Sequence, residues 1–378
     1  MVKKNFITIV VIAVVAIGIF VSLYNTDKKQ EESIKIGTVL PLTGGMANYG
    51  ISLKRGFDLA VKEINASGGI NGKPLVIIHE DSKSEARTGV TAFNKLVTTD
   101  KVPLVFSSLS SVVLAIQPVA DEQRIVLINS SAISPNIREM ANNFLFSVMV
   151  NGATEAVFMA RKFQEKYPNE KLVILYSNNS SGIDTKDALV SELQLLGNTN
   201  VYTESYELNT TDFKLQIDRL KKHNAKFGYL LAWSTAEIAG ILKQAKELNF
   251  DIQWFSHSGI ETRETLELAR EAAEGIIYSY PKYDVSDPRF SNLQAEFQSK
   301  HNTWGDICVI TAYDGMYLIA DVMRKYGTTS LDIQKGLRSI EGFNGIFGDI
   351  DFSKSGKQYA EKELFWKKIK DNQYVILE

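Results

Sequence analysis

Residues 105–111 read VFSSLSS, and residues 127–135 read LINSSAISP. Each couples a short run of large apolar residues, the composition of a strand buried on both faces, to a cluster of hydroxyls. In an open parallel sheet, ligands collect at the carboxyl ends of the strands, where loops and helix N-termini expose backbone N–H groups. A serine there has two readings. It can cap the following helix. Alternatively, its hydroxyl can give and accept hydrogen bonds to a captured polar molecule, while the helix N-terminus favours a carboxylate or other electron-rich group. Either reading holds for one serine; seven serines at two strand ends shift the balance toward binding.

Outward from these stretches, strand and helix patterns alternate. IKIGTVLPL (34–42) reads as a first buried strand, and Leu53, Phe57, Ala60, Val61 and Ile64 then fall on one helical face. PLVIIHE, VPLVFSS, IVLINSS, KLVILYS, YTESYEL and FGYLLAW read as further strands. Helical segments lie between them, one marked by Leu189, Leu193 and Leu196 and another by Ile238, Ile241, Leu242, Ala245 and Leu248. Repeated strand–helix–strand units predict an α/β fold of doubly wound parallel sheets with helices on both faces. At 378 residues the chain exceeds one comfortable core, so two lobes are expected.

Several chemistries lack their residues. A net charge of -2 gives no electrostatic basis for nucleic-acid binding, and a single cysteine, Cys308, excludes an internal disulfide framework. No G-x-S-x-G elbow is present. GGINGKP (68–74) has Pro where a phosphate loop needs Ser or Thr, and GFNGIFG (342–348) has the wrong spacing for a dinucleotide site. The four histidines, His79, His223, His257 and His301, are far apart and lack metal-ligand spacing. The expectation is a protein that is not an enzyme, with no catalytic residues, no metal and no cofactor.

The N-terminus carries its own signal. Lys3 and Lys4 precede an apolar run, FITIVVIAVVAIGIFVSLY (6–24), and the polar linker NTDKKQEES (25–33) follows. About 19 residues at ~1.5 Å each nearly cross a hydrocarbon layer of about 30 Å. The run exceeds the roughly 7–15 apolar residues of a signal-peptide core, and no Ala-x-Ala follows it. The reading favours an uncleaved single-pass transmembrane anchor over a removed signal helix, with the soluble part outside the cell membrane.

Taken in order, IGTVLPLTGGMANYG, RGFDLAVKEINASGGINGKPLVIIHEDSKSE, SSLSSVVLAIQPVA and SSAISP resemble the type I periplasmic-type solute-binding proteins of branched-chain amino acid ABC transporters. GYLLAWSTAEIAGILKQAKELNFDIQWF, EAAEGIIYSYP, TAYDGMYLIADVMR and FNGIFGDIDFSKSG are similar to the same family, from about Ile34 to the C-terminus. The resemblance implies two lobes joined by three crossovers, near Val150, Lys282 and Phe343, with a ligand trapped between them. Lobe 1 would hold residues 34–149 and 282–341, and lobe 2 residues 150–281 and 342–378, behind the 1–33 anchor and linker. It further implies a monomer that captures a small polar metabolite, amino-acid-like, amide or carboxylate, for delivery to an ABC permease. A ligand-sensing module for a separate signalling partner is the alternative.

The resemblance also assigns candidate binding residues. Ser110, beside Ser111, matches the serine that bonds a ligand carboxylate, and Ala132, Ile133 and Ser134 match a segment supplying backbone groups and a hydroxyl. The family's S-A-T-S is Ser131-Ala132-Ile133-Ser134 here, so one hydroxyl is lost. Where amino-acid binders carry Tyr-Gly, this chain has Ser181-Gly182. Where they carry an acid before a glycine to pair with the ligand ammonium, it has His257 and Ser258, with Glu261 beyond the glycine. An ammonium without that acid would be poorly paired, costing about a few kcal/mol, so the pocket is expected to suit a less cationic guest. Tyr49 and Trp233 complete the expected lining.

Overall fold

The computed structural model describes residues 33–139, 143–353 and 362–377. The first sheet is built from β1 (Ile34–Leu40), α1 (Ala47–Ala66), β2 (Leu75–Asp81), α2 (Ala86–Thr98), β3 (Leu104–Ser107), α3 (Ser110–Gln123), β4 (Val126–Asn129), α4 (Asn136–Glu139) and β5 (Leu145–Ser147). Its five strands are parallel, in the order β2-β1-β3-β4-β5. The chain then enters α5 (Gly152–Lys166), β6 (Leu172–Ser177), α6 (Ser180–Leu195), β7 (Val201–Tyr206), α7 (Lys214–Lys221), β8 (Phe227–Leu231), α8 (Thr235–Glu247), β9 (Gln253–Ser256), α9 (Arg263–Ala269) and β10 (Ile277–Pro281). These strands form the parallel part of a second, seven-stranded sheet.

After β10 the chain returns to the first unit as α10 (Pro288–His301), α11 (Ile307–Tyr326) and α12 (Ser330–Ser339). There α11 packs along α1, and the Ser330 hydroxyl accepts the backbone N–H of Val126 at 2.9 Å. A short ribbon, β11 (Phe343–Gly345) and β12 (Gly348–Ile350), leads to β13 (Leu364–Lys370) and β14 (Gln373–Ile376), which rejoin the second sheet.

Side chains within a strand divide by parity, as a sheet covered on both faces requires. In β3, Leu104 and Phe106 join the core under α1 and α11, while Val105 packs with Phe93 and Ile116 on the opposite face. In β6, Leu172 and Ile174 face the cluster around Phe163, and Val173 and Leu175 face the other side. The helical face read from sequence in α1 is buried at Leu53, Phe57, Ala60, Val61 and Ile64.

Two expectations differ from the structure. The second sheet is not wholly parallel: β13 runs antiparallel to β10 and to β14. Asp371 and Asn372 both adopt positive φ (52° and 56°), the geometry of the tight two-residue hairpin turn that sets β14 against β13. Leu196 does not join the buried face of α6. It sits at the helix C-cap, 39% exposed, whereas Leu189 and Leu193 are buried. The apolar segment 6–24 lies outside the described residues; among those described, no helix is long and apolar enough to cross a membrane.

The contact between α1 and α11 depends on Gly56. A Cβ there would lie 2.3 Å from the Val309 carbonyl oxygen, a backbone atom that cannot rotate away. Alanine would gain about 1 kcal/mol of helix propensity, but overpacking costs about 1–3 kcal/mol. Gly56→Ala is therefore expected to lower stability by up to about 2 kcal/mol in urea unfolding; a stabilised variant would show that the helices part freely.

Candidate functional site

The strand ends of both sheets converge on one cavity of about 230 Å³. From the first unit it is lined by Met46, Tyr49, Ser84, Leu109, Ser110, Ser111, Ser131, Ala132, Ile133 and Met149, with Ile307 and Cys308 from α11. From the second come Asn179, Ser180, Ser181, Leu208, Trp233, Ser258 and Gly259. Among the described residues that line it, none carries a charged side chain. The volume lies below the roughly 300–1,000 Å³ of drug-sized pockets, yet a cavity of about 150 Å³ already admits benzene.

Two helices of 14 and 16 residues, α3 and α6, begin at this cavity, one from each unit. Their free N–H groups and dipoles give the chamber a positive bias without a cation. The serines of the first stretch do not cap α3. Its N-cap is Leu109, with no side-chain cap bond, held at φ 66° and ψ 128°. Such backbone costs about 1–3 kcal/mol in a non-glycine residue, and functional sites are where this cost is tolerated.

Ser110 is the junction of the two walls. Its Oγ accepts the N–H groups of Ile133 (3.3 Å) and Ser134 (3.1 Å), and it is hydrogen-bonded across the cleft to the Ser181 hydroxyl at 2.8 Å. The two N–H groups fill the lone pairs of Ser110 Oγ, so the Ser110–Ser181 pair shares one proton between its oxygens and keeps one to give. The adjoining turn is clamped by Asn129, which the sequence reading passed over as part of a strand. Its amide donates to the Ala132 carbonyl (2.7 Å) and Ser147 Oγ (2.8 Å), and its oxygen accepts the Ala132 N–H at 2.8 Å. An Asn three residues before an Ala-Ile-Ser turn was the available signal.

Further bonds tie the units together around the cavity. The Tyr49 hydroxyl donates to the Trp233 carbonyl, with the Gly259 carbonyl at 3.4 Å, and the Asn48 amide donates to Thr235 at 3.2 Å. Outside the cavity, Ser134 and Asn136 both donate to the Asp184 carboxylate on α6.

Eight of the ten expected residues therefore meet at the cavity: Tyr49, Ser110, Ser111, Ala132, Ile133, Ser181, Trp233 and Ser258. Ser134 and His257 do not line it. Ser134 is turned to Asp184, and His257 is packed behind Trp233, ring centroids 3.8 Å apart. Both nitrogens of that imidazole are occupied: Nε2–H donates to the Ala232 carbonyl at 3.0 Å, and Nδ1 accepts the Gly259 N–H at 3.1 Å. Glu261 is equally committed, held by Lys367 at 2.6 Å and by the Tyr278 hydroxyl at 2.5 Å.

Sequence reasoning missed Glu155. It is 2% exposed on the first turn of α5, directly behind Ser258, whose N–H and hydroxyl it accepts at 2.8 and 2.7 Å. Burial raises its pKa, and the bonds from Ser279 and Ser258 oppose that rise. Trp233 adds an indole N–H that has no partner among the described residues.

Burial lowers the His257 pKa to about 4, from an ordinary 6.5, and the bond to the Ala232 carbonyl only partly offsets this. The neutral ring is the native one, so its contribution to stability is complete above about pH 6.5 and is lost as pH falls toward 4, by about 3 kcal/mol at most. NMR titration is expected to show His257 still neutral at pH 5. A midpoint near 6.5 would place it in contact with water.

A family model described as periplasmic binding protein matches residues 33–373. The leucine-, isoleucine-, valine-, threonine- and alanine-binding protein of Pseudomonas aeruginosa is 25% identical over 329 residues, 86% of this chain and 87% of that protein. A leucine binding protein from Thermotoga maritima superposes with a TM-score of 0.83 at 20% identity, covering 91% of this chain and 98% of the other. A solute binding protein of an ABC transporter from Rhodopseudomonas palustris, in complex with 3,4-dihydroxy benzoic acid, gives 0.82 at 17% identity, covering 92% and 96%. With the match running through both sheets and the cavity between them, the chain belongs to the periplasmic binding protein family.

Proposed function

We propose that this protein is an extracytoplasmic solute-binding protein that closes over a small carboxylate with an apolar body and delivers it to an ABC permease, without covalent chemistry. The observation that carries the ligand class is the lining: serine hydroxyls, two helix N-termini and apolar side chains, with no charged group among them. A carboxylate finds donors at the Ser110–Ser181 hydroxyl pair and at the N–H groups of α3 and α6. Met46, Met149, Ile133 and Trp233 offer apolar surface to the rest of the guest.

An α-amino acid would bring an ammonium as well. Glu261 is spent on Lys367, and His257 stays neutral with both nitrogens engaged. A buried ammonium with no counter-ion in contact loses several kcal/mol of hydration uncompensated. Among relatives, the Pseudomonas protein is named for amino acids and the Rhodopseudomonas protein holds an aromatic acid; the lining here suits the second class.

The hinge passes near Val150, Lys282 and Phe343, dividing the chain into 34–149 with 282–341 and 150–281 with 342–378. Strand membership supports this division, since β1–β5 build one sheet and β6–β10 with β13 and β14 the other. Cross-cleft bonds from Ser181 and Tyr49 exist only when the units are together, so a guest touching both walls favours the closed form through contacts absent when open.

Calorimetric titration with benzoate, 4-hydroxybenzoate, leucine and isoleucine tests the ligand class. The acids lacking an amino group are expected to bind at least about tenfold tighter than the amino acids. Ser110→Ala is expected to weaken the tightest ligand about tenfold or more, because it removes both a donor and the anchor of the 133–134 turn. Leucine binding tighter than either benzoate would overturn the reading.

A further inference from the structure

One corner of the cavity offers hydroxyl oxygens whose protons point elsewhere. The Ser258 hydroxyl donates to Glu155 Oε1 at 2.7 Å, and the Ser258 backbone N–H donates to Oε2 at 2.8 Å. Ser279 adds a third bond to Oε2, at 2.5 Å from β10. Three donors converge on the Glu155 carboxylate, one of them a backbone N–H that can only donate, and this set matches an ionised acceptor-only group. Next to Ser258, the Tyr49 hydroxyl also gives its proton away, to the Trp233 carbonyl. Both residues line the cavity, Ser258 buried and Tyr49 half-buried, and neither hydroxyl oxygen accepts a hydrogen bond among the described residues.

We propose that this corner is an acceptor subsite that selects carboxylates bearing a hydroxyl, with Glu155 as the positioning residue that holds the Ser258 proton away from the ligand. The proposal rests on the carboxylate reading above. The cavity is then polarised. The Ser110–Ser181 hydroxyl pair and the helix N-termini donate to the carboxylate, and Ser258 Oγ and Tyr49 Oη accept from the substituent. A methyl group in the same place would leave the lone pairs of both oxygens without a donor, and an acceptor would set lone pair against lone pair. Glu155 itself does not reach the cavity, and its oxygens are already met by three donors, so an ammonium would find oxygens without a counter-ion in contact.

The test is a set of affinities on the full chain. Calorimetry compares 2-, 3- and 4-hydroxybenzoate with the methylbenzoates of the same substitution, so that size is held and only the donor changes. At least one hydroxyl isomer is expected to bind about tenfold or more tighter than its methyl counterpart. Glu155→Gln keeps its amide oxygen on the Ser258 N–H and turns its NH₂ to the Ser258 Oγ, which releases the Ser258 rotor, so the hydroxyl-to-methyl ratio is expected to collapse to about twofold. A merely structural role would lower both affinities together and leave the ratio intact. Ser279→Ala, which touches no ligand, is expected to reduce the ratio in part and serves if Glu155→Gln fails to fold. Equal binding of hydroxyl and methyl forms at all three positions, or a ratio unmoved by both variants, would refute the subsite while leaving the carboxylate reading in place. Failure of every benzoate alongside tight binding of leucine would remove both.

Discussion

A guest shut away from water between two sheets has to find every hydrogen bond it gives up in the walls that close on it. That constraint governs this protein. The exchange succeeds only if donors and acceptors are already aimed, because a polar group left dry costs as much as several good contacts gain. Much of the architecture serves that aiming. Asn129 clamps the turn that presents Ala132 and Ile133, Ser110 gathers two backbone N–H groups and a hydroxyl from the opposite side, and Leu109 accepts an unfavourable backbone so that α3 can begin where it does.

Charge is kept out of the chamber but not out of its surroundings. Glu155, Glu261 and His257 all stand within one residue layer of the cavity, and each is neutral or matched by dedicated partners. The Glu261–Lys367 pair is further enclosed by the Tyr280 and Tyr283 rings, with the ammonium 4.6 and 5.4 Å from their centroids. A buried pair of this kind contributes little net stability, yet losing one member strands the other. It holds β13 against the loop after β9, where the second wall of the site is formed.

The alternation of strands and helices, the two sheets and eight of the nineteen cavity residues were legible in the sequence. Apolar runs ending in hydroxyls mark strand ends, and strand ends in such sheets face the ligand. What escaped was set by three-dimensional pairing. Nothing in GATEAVF shows that Glu155 lies beneath Ser258, more than a hundred positions away. FSHSGIE places His257 beside Ser258 in the chain, but the extended backbone at His257 sends the two side chains different ways, one behind the wall and one into it. Serine clusters were ambiguous between capping and binding because both uses need the same atoms. Only the backbone of Leu109 separates them.

The Asp184 carboxylate on α6 receives Ser134 and Asn136 from the opposite unit at a place no guest touches. Contacts of that sort tighten the shut form to the same extent whatever is inside, or when nothing is. They raise the apparent affinity of every solute alike and leave the ranking among solutes to the chamber. The two properties can therefore drift separately: substitutions at this rim would alter how long cargo is retained, without altering which cargo is preferred.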